Sequence, residues 1–268
     1  MSVPMSPSRP ASGLAPTDAA AVKAEFDRDG YIAIRPLFDA ARMDEINREL
    51  DRYLRDAVPR MKDTEVYYED KADRSSVKQM MYLERYDPYF AELLQSGVVH
   101  ELAEAVLGER VIPQNMEYFN KPPGIGKQTP PHQDGYYFKV APAQAVTGWL
   151  ALEPVDDENG CLNYVRGSHI EAGWRPHGRS NILGFSQGVT DFGTPFDVAN
   201  TVTMPGGAGM MLMHHCKTVH WASPNRSPTR SRRALGFVFY GESARPDDEA
   251  KRAYQAKLDA ELAADGKI

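Results

Sequence analysis

The sequence is poor in cysteine, with Cys161 and Cys216 the only two in 268 residues. That number excludes a disulfide framework and predicts a reducing, cytoplasmic setting. No apolar run is long enough to span a bilayer, so a membrane-embedded class is excluded. Positive charge is also in deficit: 31 Lys and Arg against 37 Asp and Glu leave a net charge of −6. A nucleic-acid or anionic-membrane surface would need a basic stretch to offset this, and none does. There is no internal repeat. No His-Glu-x-x-His occurs, which argues against a zinc hydrolase. Residues 1–16 are rich in Ser, Pro and Ala with one arginine, Arg9. They lack the apolar core of a secretory signal and read as a disordered lead-in.

What remains is an ordinary globular composition and a change of character along the chain. Thr17 reads as an N-cap before a helix over 18–29 that ends at Gly30, and residues 31–34 read as a strand. Asp39 caps a helix over 40–56 with Met43, Ile46, Leu50 and Tyr53 at helical spacing. Residues 64–76 read as a loop over an opening and 77–86 as a strand. Asp87-Pro88 starts a helical stretch that breaks near Gly97 and ends at Gly108. From Arg110 onward, short apolar runs alternate with turns. The expected strands are 111–120, 135–139, 146–152, 161–165, 202–204, 209–214 and 234–240. Residues 180–200 read as a long loop, and about 247–264 as a solvated C-terminal helix. The fold class is mainly β with flanking helices: one domain over 17–268, with a β barrel or sandwich core at about 110–241.

The chemistry centres on Gln128-Thr129-Pro130-Pro131-His132-Gln133-Asp134-Gly135. In an extended strand, side chains two apart share a face, so His132 and Asp134 can reach one metal ion. A distal histidine would complete a two-histidine, one-carboxylate face with open positions, the ligand set of non-haem Fe(II) oxygenases. His214, His215 and His220 compete for that place, and one of the first two is expected to be a packed histidine. Arg226, Arg230, Arg232 and Arg233 follow within eight residues. One of them entering the barrel with the next strand would grip a carboxylate bidentately. Arg232 and Arg233 point to opposite faces there, so only one of that pair can do so. By strand alternation, Tyr136 and Phe138 turn inward with Asp134, while Tyr137 and Lys139 turn outward, although a bend at Gly135 would reverse the placing of Lys139. Gln128 and Gln133 are candidates for hydrogen bonds to ligand or cosubstrate. Tyr67, Tyr68, Lys78 and Arg85 are candidates for substrate contact from the helical side.

Several pieces in order carry a family resemblance over about 31–240. They are Gly30-Tyr31, His132-Gln133-Asp134, Glu158-Asn159-Gly160-Cys161-Leu162 and Gly167-Ser168-His169. His215 then precedes His220 by five residues, and His220-Trp221-Ala222-Ser223-Pro224-Asn225-Arg226-Ser227 leads into Arg232-Arg233-Ala234. The chain resembles the phytanoyl-CoA dioxygenase-like (PhyH) branch of the Fe(II)/2-oxoglutarate-dependent oxygenases, which includes the ectoine hydroxylases. The resemblance implies a double-stranded β-helix (jelly-roll, cupin-like) core. It implies Fe(II) on His132, Asp134 and His220, with 2-oxoglutarate and O2 as cosubstrates. It further implies 2-oxoglutarate contacts from Arg232, Thr147 and Asn120, and substrate contacts from Met116, Tyr118 and Phe138.

The implied reaction is hydroxylation, or a related oxidation, of a small-molecule metabolite with release of succinate and CO2. Halogenating relatives carry a small residue at the carboxylate position, so Asp134 favours hydroxylation. The chain departs from the pattern in places. The step from His220 to Arg232 is one residue longer than usual, which keeps Arg230 and Arg233 open. Arg166 replaces the usual proline before Gly-Ser-His, and Asn120 lies one residue nearer His132 than in ectoine hydroxylases. A metal-binding jelly roll without oxygenase activity, such as a sensor or isomerase, is the alternative. Neither the substrate nor the oligomeric state is written in the sequence.

Overall fold

The computed structural model describes residues 16–171, 173–182 and 184–264. The expected lead-in lies outside them except for Pro16. The first part is helical with short strands: α1 (Pro16–Asp29), β1 (Tyr31–Ile34), α2 (Ala40–Asp56), β2 (Val66–Tyr68), β3 (Val77–Met80), α3 (Leu83–Tyr86), α4 (Pro88–Gln95) and α5 (Val98–Leu107). Strands then take over: β4 (Val111–Lys121), β5 (Thr129–His132), the helical turn α6 (Gly135–Phe138), β6 (Val140–Ala141), β7 (Ala145–Ala151) and β8 (Leu162–Val165). The hairpin β9 (His177–Ile182) and β10 (Phe185–Val189) comes next, followed by α7 (Pro195–Asn200), β11 (Thr201–Met204), β12 (Met211–His215) and β13 (His220–Ala222). The chain closes with β14 (Arg232–Gly241), β15 (Arg245–Pro246) and α8 (Asp248–Ala264).

Helix ends follow their local chemistry. The Asp39 carboxylate accepts from the Arg42 N–H at 2.9 Å, and Asp87 accepts from the Tyr89 N–H at 3.0 Å ahead of Pro88. Gly30 ends α1 with φ of 80°, a left-handed conformation that favours glycine.

Two antiparallel sheets form the core. The larger has the order β1-β12-β7-β14-β4-β3-β2, and the smaller β11-β8-β13-β5. The larger sheet thus recruits strands from before residue 110, beyond the span expected for the β core. Its outer face packs on the helices. Met43, Ile46, Leu50 and Tyr53 of α2 join Met116 and Tyr118 of β4 and Leu235, Phe237 and Phe239 of β14 in one buried cluster. Burying each such side chain contributes about 1.5–3 kcal/mol, so Leu50→Ala would cost about 2–5 kcal/mol. Because side chains alternate along strands, the neighbours of these residues point the other way, toward the smaller sheet. That inner space is apolar at one end, around Trp149, Leu162, Tyr164 and Leu212, and polar at the other.

Several expectations need correction. The loop over 64–76 contains β2, which extends the edge of the large sheet. The strand expected over 77–86 stops at Met80, and Tyr82, with φ of 62°, turns the chain into α3. The loop over 180–200 holds the hairpin strands and α7. Among the described residues, no helix is long and apolar enough to cross a membrane. Cys161 and Cys216 are free and buried.

Candidate active site

β5 and β13 lie side by side in the smaller sheet, with His132 directly opposite His220. This register brings the two imidazole rings to 4.1 Å between centroids. Each ring has its Nδ1 on a backbone carbonyl, Pro130 at 2.8 Å and Thr218 at 3.0 Å. These contacts turn the Nε2 edge of each ring toward the site. Both Nε2 atoms face Asp134 Oδ1, at 3.3 Å from His132 and 3.5 Å from His220. The three ligand atoms lie within 4.8 Å of one another, close enough to hold one metal ion.

Asp134 reaches this position by a route that strand alternation does not describe. The strand ends at His132, and Asp134 has helical dihedrals (φ −57°, ψ −39°) at the head of α6. Gly135 lets the chain turn there: a Cβ at this position would fall 2.2 Å from the Trp174 ring. The turn reverses the assignments of Tyr136 and Tyr137 that followed from a strand over 135–139. Tyr136 leaves the cavity and stacks on His177 at 4.0 Å. Tyr137, expected outside, lines the cavity and donates its hydroxyl to the Gln187 carbonyl at 2.5 Å. Phe138 lines the cavity as expected. Gln133 is buried and acts as a strut, donating to the Lys217 carbonyl at 2.6 Å and accepting from the Arg175 N–H at 2.9 Å. Gln128 is exposed and is not brought to the cavity.

The second carboxylate oxygen of Asp134 is held from the larger sheet. Thr147 Oγ1 donates to Oδ2 at 2.6 Å, and His214 Nε2 donates to it at 3.0 Å. The hydroxyl of Tyr164 donates in turn to His214 Nδ1 at 2.9 Å. Burial alone would raise the Asp134 carboxyl, but His220, His132 and His214 outweigh it and hold it well below the usual carboxylate range. Burial, then the neighbouring His132 and His214, pushes His220 well down, so its ring is neutral. His214 and His215 separate by strand parity. His214 faces the site, whereas His215 faces α1, its ring 6.0 Å from Phe26 and its pKa pushed down to about 3 by burial. The sequence reading expected one of the pair to be a packed histidine, and its parity on β12 selects His215.

Beside the triad lies a small cavity of about 70 Å³, lined by Lys78, Asn120, Thr147 and Arg232 together with His132, Asp134 and His220. Arg232 is 4% exposed, and its guanidinium lies 5.5 Å over the Trp149 ring. Its Nε has no hydrogen-bond partner, and among the described residues no carboxylate pairs with it. Burial pulls its pKa down to about 10. The other candidate arginines are engaged elsewhere. Arg230 holds Asp156 through two bonds of 2.8 and 2.9 Å, and Arg233 holds Glu153 at 3.2 Å. Lys78 is also buried, its Nζ 3.4 Å from Glu69 and without a hydrogen bond. Asn120 donates to the Val77 carbonyl at 2.9 Å, and its Oδ1 has no partner.

A larger cavity of about 520 Å³ opens on the same His132, Asp134 and Thr147. Tyr67 and Arg85 line it, as expected of residues on the helical side, but Tyr68 does not. Met116 and Tyr118 are absent from it because β4 turns them toward the helices. Asn115, Glu117 and Phe119 take the inward positions instead. Sequence reasoning missed Glu117, although a signal existed: polar residues at 115 and 117 alternate with apolar ones at 116 and 118. The C-terminal helix α8, read as solvated, places Lys251 and Tyr254 in the cavity wall.

The phytanoyl-CoA dioxygenase (PhyH) family model matches residues 26–234. The chain belongs to this family. A PhyH-family relative from Danio rerio, phytanoyl-CoA dioxygenase domain-containing protein 1, is 34% identical over 150 residues, covering 54% of this chain and 50% of that protein. The chain thus spans about half the length of that relative. A probable alpha-ketoglutarate-dependent hypophosphite dioxygenase from Stutzerimonas stutzeri is 24% identical, covering 82% of this chain and 77% of that protein. Among solved structures, the epimerase SnoN in complex with Fe3+, alpha ketoglutarate and nogalamycin RO superposes with a TM-score of 0.69 at 24% identity, covering 86% of both chains. EctD from S. alaskensis with 2-oxoglutarate and 5-hydroxyectoine gives 0.69 at 21% identity, covering 87% of this chain and 78% of that one. The fold is shared with these proteins.

Proposed function

We propose that this PhyH-family chain is an Fe(II)- and 2-oxoglutarate-dependent dioxygenase on a double-stranded β-helix core. Its reaction is hydroxylation, or a related oxidation, of an unactivated C–H bond in a small-molecule metabolite, with release of succinate and CO2. His132, Asp134 and His220 would hold the metal. The fit is chemical: two imidazole nitrogens and one carboxylate oxygen converge on one point and leave other positions open, as a non-haem Fe(II) centre needs.

The observation that carries the reading is Arg232. A buried guanidinium without a carboxylate, in a cavity shared with the three ligands, is costly unless an anion arrives. The far carboxylate of 2-oxoglutarate supplies that anion. The bound metal and cosubstrate supply the oxidising power, and the chain's residues bind, orient and exclude water. Arg232 fixes one end of the cosubstrate, with Lys78 adding positive charge, and the hydroxyl of Thr147 and the free Oδ1 of Asn120 border the same space. Thr147 and His214 restrain one oxygen of Asp134 so that the other faces the histidines. Tyr137, the β9–β10 hairpin and α8 wall off the side on which the substrate would lie.

The test is turnover. Purified protein supplied with Fe(II), O2 and 2-oxoglutarate is expected to form succinate, and His132→Ala to form none. Equal succinate from the two proteins would remove the reading.

A further inference from the structure

We propose that Glu117, clamped by Gln79 and Asn115, is the subsite that receives a protonated nitrogen of the substrate, so that the substrate class is an organic ammonium. What happens to that substrate rests on the oxygenase reading, but its binding does not.

The first observation is placement. Glu117 lies on the inward face of β4, in the wall of the cavity that also reaches His132, Asp134 and Thr147. In the ladder it stands opposite Gly236, which stands opposite Trp149. A Cβ at Gly236 would come within 2.8 Å of the Phe119 ring and 3.6 Å of Glu117 Cβ. The missing side chain keeps the approach to the carboxylate open.

The second observation is a set of unpartnered acceptors. Gln79 Nε2 donates to Glu117 Oε2 and Asn115 Nδ2 donates to Oε1, each at 3.1 Å. Each amide has given one of its two N–H groups to the carboxylate, and the amide oxygens, Gln79 Oε1 and Asn115 Oδ1, have no partner. A carboxylate has about four lone-pair sites, and two are filled here. The cluster has acceptors to spare, and a group rich in N–H donors is its complement.

The third is charge. Among the described residues no ion pair joins Glu117 to a cation, although Arg85, Arg179, Lys251 and Arg252 line the same cavity. Arg85 is turned away, stacked 3.6 Å over Tyr82 and paired with Glu84 and Glu65. Tyr67, Phe119 and Tyr137 line the same wall, and aromatic rings suit a cation. Burial raises the Glu117 carboxyl to about 7, against the hydrogen bonds of Gln79 and Asn115, and the charge of Asp134 adds to the rise. A carboxylate so placed gains from an arriving cation.

The test is calorimetric titration of the full chain with three size-matched probes: 2-phenylethylamine, 2-phenylethanol and 3-phenylpropionate. The amine is expected to bind at least about tenfold more tightly than the alcohol or the acid. Glu117→Gln keeps the shape and removes the charge, so it should lose about tenfold for the amine, whereas Glu117→Asp should retain most of the affinity. Thermal melts of each variant guard against misfolding. The proposal is overturned if Glu117→Gln binds the amine as tightly as wild type. It is equally overturned if the alcohol or acid matches the amine, or if none of the probes binds wild type. Arg232→Ala should leave amine binding intact. Amine binding in wild type without any 2-oxoglutarate-dependent succinate would sink the oxygenase reading and leave the subsite standing.

Discussion

The two cavities that meet at Asp134 are unbalanced in opposite directions. On one side Lys78 and Arg232 are buried, and Glu69, 3.4 Å from Lys78, is the acid paired there. On the other, Glu117 is held by two neutral amides, and among the described residues no cation pairs with it. Each arrangement is unfavourable when empty, because a charge drawn out of water without its partner loses hydration uncompensated, fully for buried Arg232 and in part for half-buried Glu117. Each becomes favourable when a ligand of the opposite charge arrives. Placed on either side of one metal triad, they read as two separate binding ends: an anion end for a cosubstrate and a cation end for a substrate.

The largest expected effect is at the anion end. Arg232→Ala should raise the 2-oxoglutarate concentration for half-saturation by about 30-fold or more, since removing one partner of a buried charged pair costs about 2–5 kcal/mol. Arg230→Ala and Arg233→Ala should change it little, because their guanidinium groups already serve Asp156 and Glu153. A steady-state comparison of the three variants checks this.

The junction between the two ends comes next. His214→Phe removes one of the two donors to Asp134 Oδ2. Loss of such outer partners costs about 10–100-fold in metal affinity. Fe(II) titration followed by tyrosine fluorescence measures this, and an unchanged affinity would mean that Thr147 alone orients the carboxylate. Lys78→Met should weaken 2-oxoglutarate by about tenfold, because a hydrogen bond to a charged group contributes about 1.5–3 kcal/mol. No change would show that Arg232 balances the cosubstrate unaided.

The smallest effect sharpens the contrast from the cation end. The fold holds Glu117 near 7, above the usual 4.5, so the folded protein binds this proton more tightly than the unfolded chain. The stability it contributes is complete below about pH 4.5 and is lost as pH rises through about 7. The acids that act on it are Asp134 and Glu84, with Gln79 and Asn115 opposing them. Metal-free Glu117→Gln should therefore melt a few degrees above wild type near pH 8 and show less advantage near pH 5. Equal differences at the two pH values would contradict a proton-linked Glu117.

The sequence carried the metal ligands better than their surroundings. The short motif offered His132 and Asp134, three histidines competed for the distal place, and the family resemblance pointed to His220, even though the strand geometry first invoked for Asp134 is wrong. The helical turn at Gly135 depends on packing against Trp174, a contact that nothing local announces. The resemblance pointed to Arg232, but Arg230 and Arg233 stayed open because the acids that occupy those two lie 74 and 80 residues away in the chain. Met116 and Tyr118 were misplaced by one step of strand parity, and a single step exchanges every side chain between the helix face and the cavity. The helices around the core were the most legible part. Asp39, Asp87 and the spacing of Met43, Ile46, Leu50 and Tyr53 are local signals, and tertiary packing reinforced them.

The central claim is that a metal on His132, Asp134 and His220 and an anion on Arg232 share one site. The most direct measurement is anaerobic: Fe(II) and 2-oxoglutarate are added to metal-free protein and the visible spectrum is recorded. A broad charge-transfer band is expected, absent in His132→Ala and requiring much more 2-oxoglutarate in Arg232→Ala. No band at saturating Fe(II), or a band indifferent to Arg232, would contradict the shared site and favour a metal-binding barrel without oxygenase chemistry.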